Sequence, residues 1–85
     1  MKAITPKTSL LTLYEARANS ILKITSISGG WGVRQNLNEV GLHAGDSIHI
    51  LRKAPFGGPL MVVNHGTKVA VGRRLAEKIK VEVVR

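Results

Sequence analysis

The sequence predicts a mainly β fold, a small bent barrel of about five antiparallel strands with one or two short helices. Three observations lead to this prediction. The chain has 85 residues, of which 44% are hydrophobic and 21% charged, and this size and composition suit one globular domain. Most apolar residues lie in short segments rich in valine and isoleucine and bounded by glycine-containing turns. Apolar residues recur at helical spacing over more than one turn only in residues 33–40.

The N-terminal part contains a predicted arm and the first strand. Residues 1–9 have little periodicity, so we expect a flexible arm there and a single domain over residues 10–85. Residues 10–18 allow either one helical turn or a turn that leads into a strand. Residues 20–28 carry isoleucines between polar and glycine boundaries, which favours a strand. The isoleucines recur at every third residue rather than at every second, so we expect a bulge in this strand.

The middle of the chain predicts a hinge, a short helix and a strand. Residues 29–32 include three glycines and are interpreted as a hinge. The apolar spacing then predicts a helix over residues 33–40, which ends at Gly41 in the left-handed conformation. Gly45 lies in the turn that precedes a strand over residues 47–52, in which apolar and polar residues alternate.

The C-terminal part predicts a loop, a hairpin, a helical turn and a closing strand. Residues 53–59 contain two prolines and two glycines, which is typical of a loop. Residues 60–63 and 67–71 predict the two strands of a hairpin, and Gly66 provides positive φ at its tip. The helical turn and the closing strand follow at residues 73–78 and 79–84.

The charge of the chain predicts an acidic partner. Thirteen Lys and Arg residues face five Asp and Glu residues, which gives a net charge of +8, and the basic residues are spread along the chain. This charge suits nucleic acid, an anionic membrane surface or an acidic protein. The absence of cysteine excludes disulfides, thiolate metal sites and a thiol nucleophile. No apolar run approaches the roughly 20 residues that cross a bilayer, so we expect a cytoplasmic domain without membrane insertion.

Catalytic and metal-binding patterns are weak. The sequence has no serine, histidine and acid in a catalytic order, no phosphate-binding glycine loop and no close pair of carboxylates, so we do not expect an enzyme. His43, Asp46 and His49 form one weak candidate set of ligands for a divalent metal ion. A simpler interpretation is that Asp46 accepts hydrogen bonds in a turn and that His49 faces solvent from a strand.

Two positions are candidate partner contacts. The loop places Phe56 among small residues and beside Arg52 and Lys53, which is the arrangement of an exposed anchor with a charged rim. The alternative, in which Phe56 packs under its own loop, stays open. Trp31 with Arg34 is the second candidate contact, although a small barrel needs large apolar plugs and this favours Trp31 as a lid on the barrel end. The other candidate contacts in the loop are Gly57, Gly58 and Pro59.

The order of motifs over residues 21–84 resembles the FeoA domain, a family of SH3-like barrels. An isoleucine-rich strand ends in Ser28-Gly29-Gly30, and residues 37–46 resemble the family pattern L-x-x-(L/M)-G-L-x-x-G-D/E. Residues 54–60, a hairpin with glycine at its tip, and residues 69–79 follow in the family order. Each motif alone is weak, but their order and spacing together are fairly specific.

The resemblance implies a small cytoplasmic accessory protein of ferrous iron uptake. Such a protein binds and regulates the cytoplasmic GTP-binding part of the FeoB transporter, which brings it to the inner face of the membrane. No resident cofactor is implied, and weak association with Fe2+ or another divalent ion stays open, as does self-association. Two alternatives remain: a nucleic-acid-binding SH3-like module, and a free-standing relative of the SH3-like domain of DtxR-type repressors.

Overall fold

The structure is a computed structural model that describes residues 10–84. The predicted arm at residues 1–9 lies outside the described residues. Within residues 10–84 the chain forms six strands, two helices and one 3₁₀ turn. The strands are β1 Leu10–Thr12, β2 Ile21–Ile27, β3 Ser47–Lys53, β4 Leu60–Asn64, β5 Thr67–Val71 and β6 Ile79–Val83. The 3₁₀ turn is Leu13–Glu15, and the helices are α1 Gly30–Glu39 and α2 Arg73–Ala76.

All six strands pair antiparallel in one sheet, in the order β1-β6-β2-β3-β4-β5. The predicted mainly β fold is confirmed, with one strand more than expected. Residues 10–18, for which two interpretations were open, contain this extra strand β1 followed by the 3₁₀ turn. A strand of three residues is too short to show an alternating pattern in the sequence. It is recognised by its pairing with β6, for example of Leu11 with Val81. The expected bulge in β2 is present between Ile24 and Ser26.

The core lies on the inner face of this sheet. In β4, for example, Leu60, Val62 and Asn64 are buried and alternate with half-buried residues. Buried residues from β2 to β6 form a single cluster, so the sheet must curve around it. No aromatic residue belongs to this core within residues 10–84. The buried apolar residues are Leu13, Ala16, Leu22, Ile24, Leu37, Leu42, Ile48, Ile50, Leu60, Val62, Val69, Val71, Ala76, Ile79 and Val81.

Helix α1 begins earlier than predicted. Gly30 already opens the helix, so the interpretation of residues 29–32 as a hinge is wrong. Apolar residues at helical spacing begin only at Val33. Gly30 and Gly32 carry no periodic signal, although both lie within the bounds of the helix, and this explains the error.

The end of α1 is a Schellman motif. Leu42 N–H donates to Leu37 O at 2.9 Å, and Gly41 N–H donates to Asn38 O at 3.0 Å. Gly41 has a φ of +85°, in the left-handed region that glycine enters without steric cost. Leu42 is then fully buried, and this directs the chain from the helix toward β3.

The remaining elements lie close to their predicted bounds. The two hairpin strands β4 and β5 are present, and β4 extends one residue further than predicted. Helix α2 ends at Ala76, earlier than the predicted residue 78. The longer helix, α1, has 10 residues, and neither helix in residues 10–84 has the length and apolar character needed to cross a membrane.

Candidate partner-binding site

The loop between β3 and β4 presents Phe56 at the tip of a tight turn. Gly58 N–H donates to Pro55 O at 3.1 Å. The two central residues, Phe56 and Gly57, have positive φ values of 58° and 74°, which is the pattern of a type I′ turn. Asn, Asp and Gly are preferred at the first central position, because the left-handed conformation costs other residues about 1–2 kcal/mol. A bulky aromatic residue there indicates a role beyond closing the turn.

Nothing in residues 10–84 covers the Phe56 ring. The residue is 103% exposed, so it does not pack under its own loop. An exposed phenylalanine contributes no burial to folding, whereas transfer of its side chain into an apolar pocket is favourable by roughly 1.5–3 kcal/mol. The ring is therefore available as an anchor for another molecule.

Close contacts hold this loop in one shape. A Cβ atom at Gly58 would lie 2.7 Å from Ala54 Cβ, and one at Gly57 would lie 3.1 Å from Arg73 Nη1. Ala54 N–H donates to Pro59 O at 2.9 Å and closes the base of the loop. Close packing therefore favours glycine at position 58, and the positive φ of 74° favours it at position 57, directly after Phe56.

Two cations join the loop to the 3₁₀ turn. Lys53 Nζ donates to Tyr14 O at 2.7 Å and to Ala16 O at 3.0 Å. Lys53 Nζ and Arg73 Cζ each lie 5.2 Å from the centre of the Tyr14 ring, within the range of cation–π interactions. A hydrogen bond from Arg73 Nε to Glu77, at 3.1 Å, raises the pKa of Arg73. Lys53, predicted as part of a charged rim, thus forms contacts inside the domain.

Arg52 remains as the charged residue beside the loop. It is exposed and lines an open groove of about 400 Å³ on the outer side of β3, β4 and β5, together with Pro59, Met61 and Ala70. The pairing of β3 with β4 shifts register between Ile50 and Arg52. A bulge of this kind changes the direction of the side chain that follows it. The groove is largely apolar and lies next to the Phe56 turn; Lys53 also lines it, but its ammonium group is bound to the carbonyl oxygens of Tyr14 and Ala16.

Trp31 is the second exposed ring. It is 77% exposed, so the interpretation of Trp31 as a lid on the barrel end is wrong. The core is filled by aliphatic side chains, including Leu37 from the same helix. Arg34 lies one turn further along α1 and is also exposed.

A polar cluster around Asp46 lies before β3. Asp46 Oδ2 accepts hydrogen bonds from the His43 N–H and from Asn64 Nδ2, both at 2.9 Å. His43 Nδ1 lies 3.4 Å from Asp46 Oδ2, and His65 Nε2 lies 3.6 Å from Oδ1. Asn64 Nδ2 also donates to Gly41 O at 2.7 Å. The cluster therefore joins the end of α1 to the turn between β4 and β5.

The environment of Asp46 lowers its pKa. Desolvation acts to raise this pKa, but the hydrogen bonds from Asn64 and from the His43 backbone, with the nearby imidazoles, outweigh it. The carboxylate is thus stabilised in its charged form. The three glycines named from the sequence lie in the turns around this cluster with positive φ: Gly41 at 85°, Gly45 at 95° and Gly66 at 79°.

The candidate metal ligands are only partly brought together. His43 and Asp46 are neighbours, whereas His49 lies within β3 and forms no hydrogen bond or ion pair with Asp46. The second imidazole near Asp46 belongs to His65, which was not among the candidate ligands predicted from the sequence. Within residues 10–84, no group of three or more histidine, aspartate and glutamate residues has an arrangement that could hold a metal ion.

Comparison with known proteins identifies relatives over most of the chain. The sequence profile of the FeoA domain matches residues 11–83. A candidate Fe(2+) transport protein A of Methanocaldococcus jannaschii is 34% identical over 59 residues, which cover 69% of this chain and 70% of the relative. The structure of a FeoA-like protein from Clostridium acetobutylicum has a TM-score of 0.81 at 28% identity, covering 91% of this chain and 90% of that chain.

The same fold occurs within a larger protein. A manganese-dependent transcriptional repressor has a TM-score of 0.82 at 19% identity, and the match covers 98% of this chain and 45% of the repressor. This low identity shows a shared fold alone. The SH3-like fold implied by the resemblance is confirmed by the FeoA structures. Since the family profile extends from β1 to the end of β6, the chain belongs to the FeoA domain family.

Proposed function

We propose that this protein is an accessory component of ferrous iron uptake that binds and regulates the cytoplasmic GTP-binding part of a FeoB-type transporter. Membership of the FeoA family supports the link to iron transport. The observation that carries the binding role is Phe56, a fully exposed ring on a strained turn. The proposal places the protein in the cytoplasm, at the inner face of the membrane through its partner, and assigns it no catalytic step.

The loop suits a binding role because its shape is set before binding. The hydrogen bond between Ala54 and Pro59 and the contacts at Gly58 hold the turn, so little conformational entropy is lost when Phe56 enters a pocket. Burial of the ring then contributes free energy that the isolated domain does not obtain. Arg52, beside the apolar groove, adds an electrostatic contribution to recognition and to the association rate.

Titration of the full chain with the purified cytoplasmic GTP-binding region of FeoB tests this function. We expect Phe56→Ala to raise Kd about tenfold or more and to leave the melting temperature unchanged, because the ring is fully exposed. Val40→Ala removes another exposed apolar side chain and is the matched control. Equal affinities for the wild type and Phe56→Ala, or no binding by the wild type, would contradict the proposal.

A second candidate function is nucleic-acid binding, as a free module or as a relative of a repressor domain. Residues 47–76 contain five Lys and Arg residues and no Asp or Glu, a distribution that suits a phosphate backbone. Affinity for duplex DNA or RNA that falls steeply with salt would favour this function. Recovery of the transporter from extract after nuclease treatment would favour the first.

A further inference from the structure

The two most exposed large apolar side chains of the described domain are both aromatic. Phe56 is 103% exposed and Trp31 is 77% exposed, whereas the core of residues 10–84 contains only aliphatic residues. A small domain gains stability by burying its largest apolar side chains. Two rings left in solvent therefore indicate a role outside the fold.

Helix α2 lies between the two backbone segments that carry these rings. A Cβ atom at Gly57, next to Phe56, would lie 3.1 Å from Arg73 Nη1, at the start of α2. A Cβ atom at Gly29 would lie 3.1 Å from Lys78 Cδ, just beyond the end of α2. Helix α1, which carries the tryptophan, begins at the residue after Gly29. The turn that carries Phe56 thus lies beside the start of α2, and the start of the helix that carries Trp31 lies beside the residue just beyond its end.

The surface between the rings is basic. Arg74 and Lys78 form no ion pair within residues 10–84. The one carboxylate in this segment, Glu77, pairs with Arg73 at 3.1 Å. Residues 47–76, which include the loop and α2, contain no Asp or Glu. A cationic surface whose one carboxylate is already paired attracts an acidic partner and repels a basic one.

We infer that Phe56, Trp31 and the basic residues of α2 form one docking face for an acidic protein surface that offers two apolar pockets. This inference rests on the proposed function and deepens it, because it states what the transporter's cytoplasmic region must present. Both rings stand on backbone of defined conformation, Phe56 in a hydrogen-bonded turn and Trp31 in the first turn of α1. Fixed anchors fit fixed pockets, whereas a fluid lipid surface requires no such spacing.

The test is the Kd of the full chain for the purified cytoplasmic GTP-binding region of FeoB, measured at low and high salt. Phe56→Ala and Trp31→Ala are each expected to raise Kd about tenfold, and the double variant about a hundredfold, because the rings lie apart and their effects add. Arg74→Glu is expected to raise Kd and to reduce its salt dependence. Lys68→Glu makes the same charge change on β5 beside the hairpin turn, and it should leave Kd within about twofold.

The single tryptophan provides a second measurement. Trp31 is the only tryptophan in the chain, so fluorotryptophan incorporation allows fluorine NMR to follow its environment alone. A change of this resonance in the complex supports the docking face if the same change occurs when Phe56→Ala is saturated with the transporter region. The inference is overturned if Trp31→Ala and Arg74→Glu bind as tightly as the wild type while Phe56→Ala binds weakly. That result leaves the proposed function standing.

Two further outcomes separate the inference from its foundation. If the wild-type chain does not bind the transporter region, both the proposed function and the docking face are overturned. The other outcome is that the chain fails to bind the transporter region but binds phosphatidylglycerol vesicles or duplex DNA in a way that depends on both rings. That result assigns the docking face to another class of partner and overturns the inference. The melting temperatures of all variants are measured alongside, and they should match that of the wild type because the substituted residues are exposed.

Discussion

Two turns of this domain share a backbone conformation but differ in their surroundings. Phe56 and Gly57, between β3 and β4, have φ values of 58° and 74°, and His65 and Gly66, between β4 and β5, have 52° and 79°. Histidine enters this left-handed region more readily than a bulky aromatic residue. His65 Nε2 also lies 3.6 Å from Asp46 Oδ1, whereas the Phe56 ring is fully exposed.

The difference separates a turn that supports the fold from a turn that is available to a partner. The His65 turn is joined by the Asp46 cluster to the end of α1, so its strain is offset by internal contacts. The Phe56 ring obtains no such contact from the part of the chain that the structure describes. A strained conformation that brings no internal gain indicates function more strongly than exposure alone. The predictions below act first on the supporting turn and last on the exposed one.

Removal of the Asn64 side chain should have the largest effect. Asn64→Ala leaves Asp46 Oδ2 and Gly41 O without their shared donor, so we expect the free energy of unfolding to fall by about 3 kcal/mol. Urea unfolding measures this loss. Asn38→Ala changes an exposed asparagine and is the control. A loss for Asn64→Ala below about 1 kcal/mol would show that the cluster does not support the turn.

Substitution of Gly41 acts on the same cluster from the helix side, with a smaller effect. Gly41→Val forces a β-branched residue to a φ of +85°, and we expect a loss of about 2 kcal/mol in the free energy of unfolding. Gly72→Val is the matched control, because Gly72 has a φ of −67° and a Cβ atom there meets nothing within 4 Å. Equal melting temperatures for the two variants would refute the role assigned to Gly41.

Acid provides a third way to weaken the supporting turn. The pKa of Asp46 is lowered in the folded state, so its contribution to stability is complete above the usual carboxyl pKa of about 4 and is lost as the pH falls through the folded value. We expect the melting temperature to decline below about pH 4. In Asp46→Asn this decline should be shallower, because at most one fewer proton is taken up on unfolding. Parallel curves of melting temperature against pH for both proteins would contradict this expectation.

The smallest effect, of opposite sign, is expected in the exposed turn. Phe56→Gly relieves the left-handed strain and removes no internal contact of the ring, so stability should stay unchanged or rise by up to about 1 kcal/mol. Affinity for the transporter region should fall as in Phe56→Ala. Thermal unfolding and the titration are performed on the same samples. A destabilised Phe56→Gly would show that the ring serves the fold and would remove the contrast between the two turns.

Much of the fold was predictable because its signals are local. Gly41 after an apolar helical pattern, Gly66 between two short strands and the isoleucine spacing in β2 each depend on residues near in sequence. The early start of α1 was missed because glycines carry no apolar periodicity. Trp31 was misplaced because the core is filled by aliphatic residues from many parts of the chain.

The candidate site was predictable only in part, for the same reason. The small residues around Phe56 indicated an open loop, but they left the direction of the ring undecided. Lys53 looked like a free rim cation, yet its ammonium group binds carbonyl oxygens at Tyr14 and Ala16, far away in sequence. The place of His65 beside Asp46 depends on how the hairpin folds onto the end of α1, and neither local spacing nor composition carries that information.

The β class, the glycine positions that redirect the chain and the resemblance to the FeoA family could all be inferred from the sequence alone. These features follow from rules of backbone conformation and short-range spacing, which act between neighbouring residues. The exposed rings, the cations that bind within the domain and the turn that is joined to the core became evident only in the folded structure. Those outcomes depend on contacts between residues distant in sequence, where packing and hydrogen bonding override local preference.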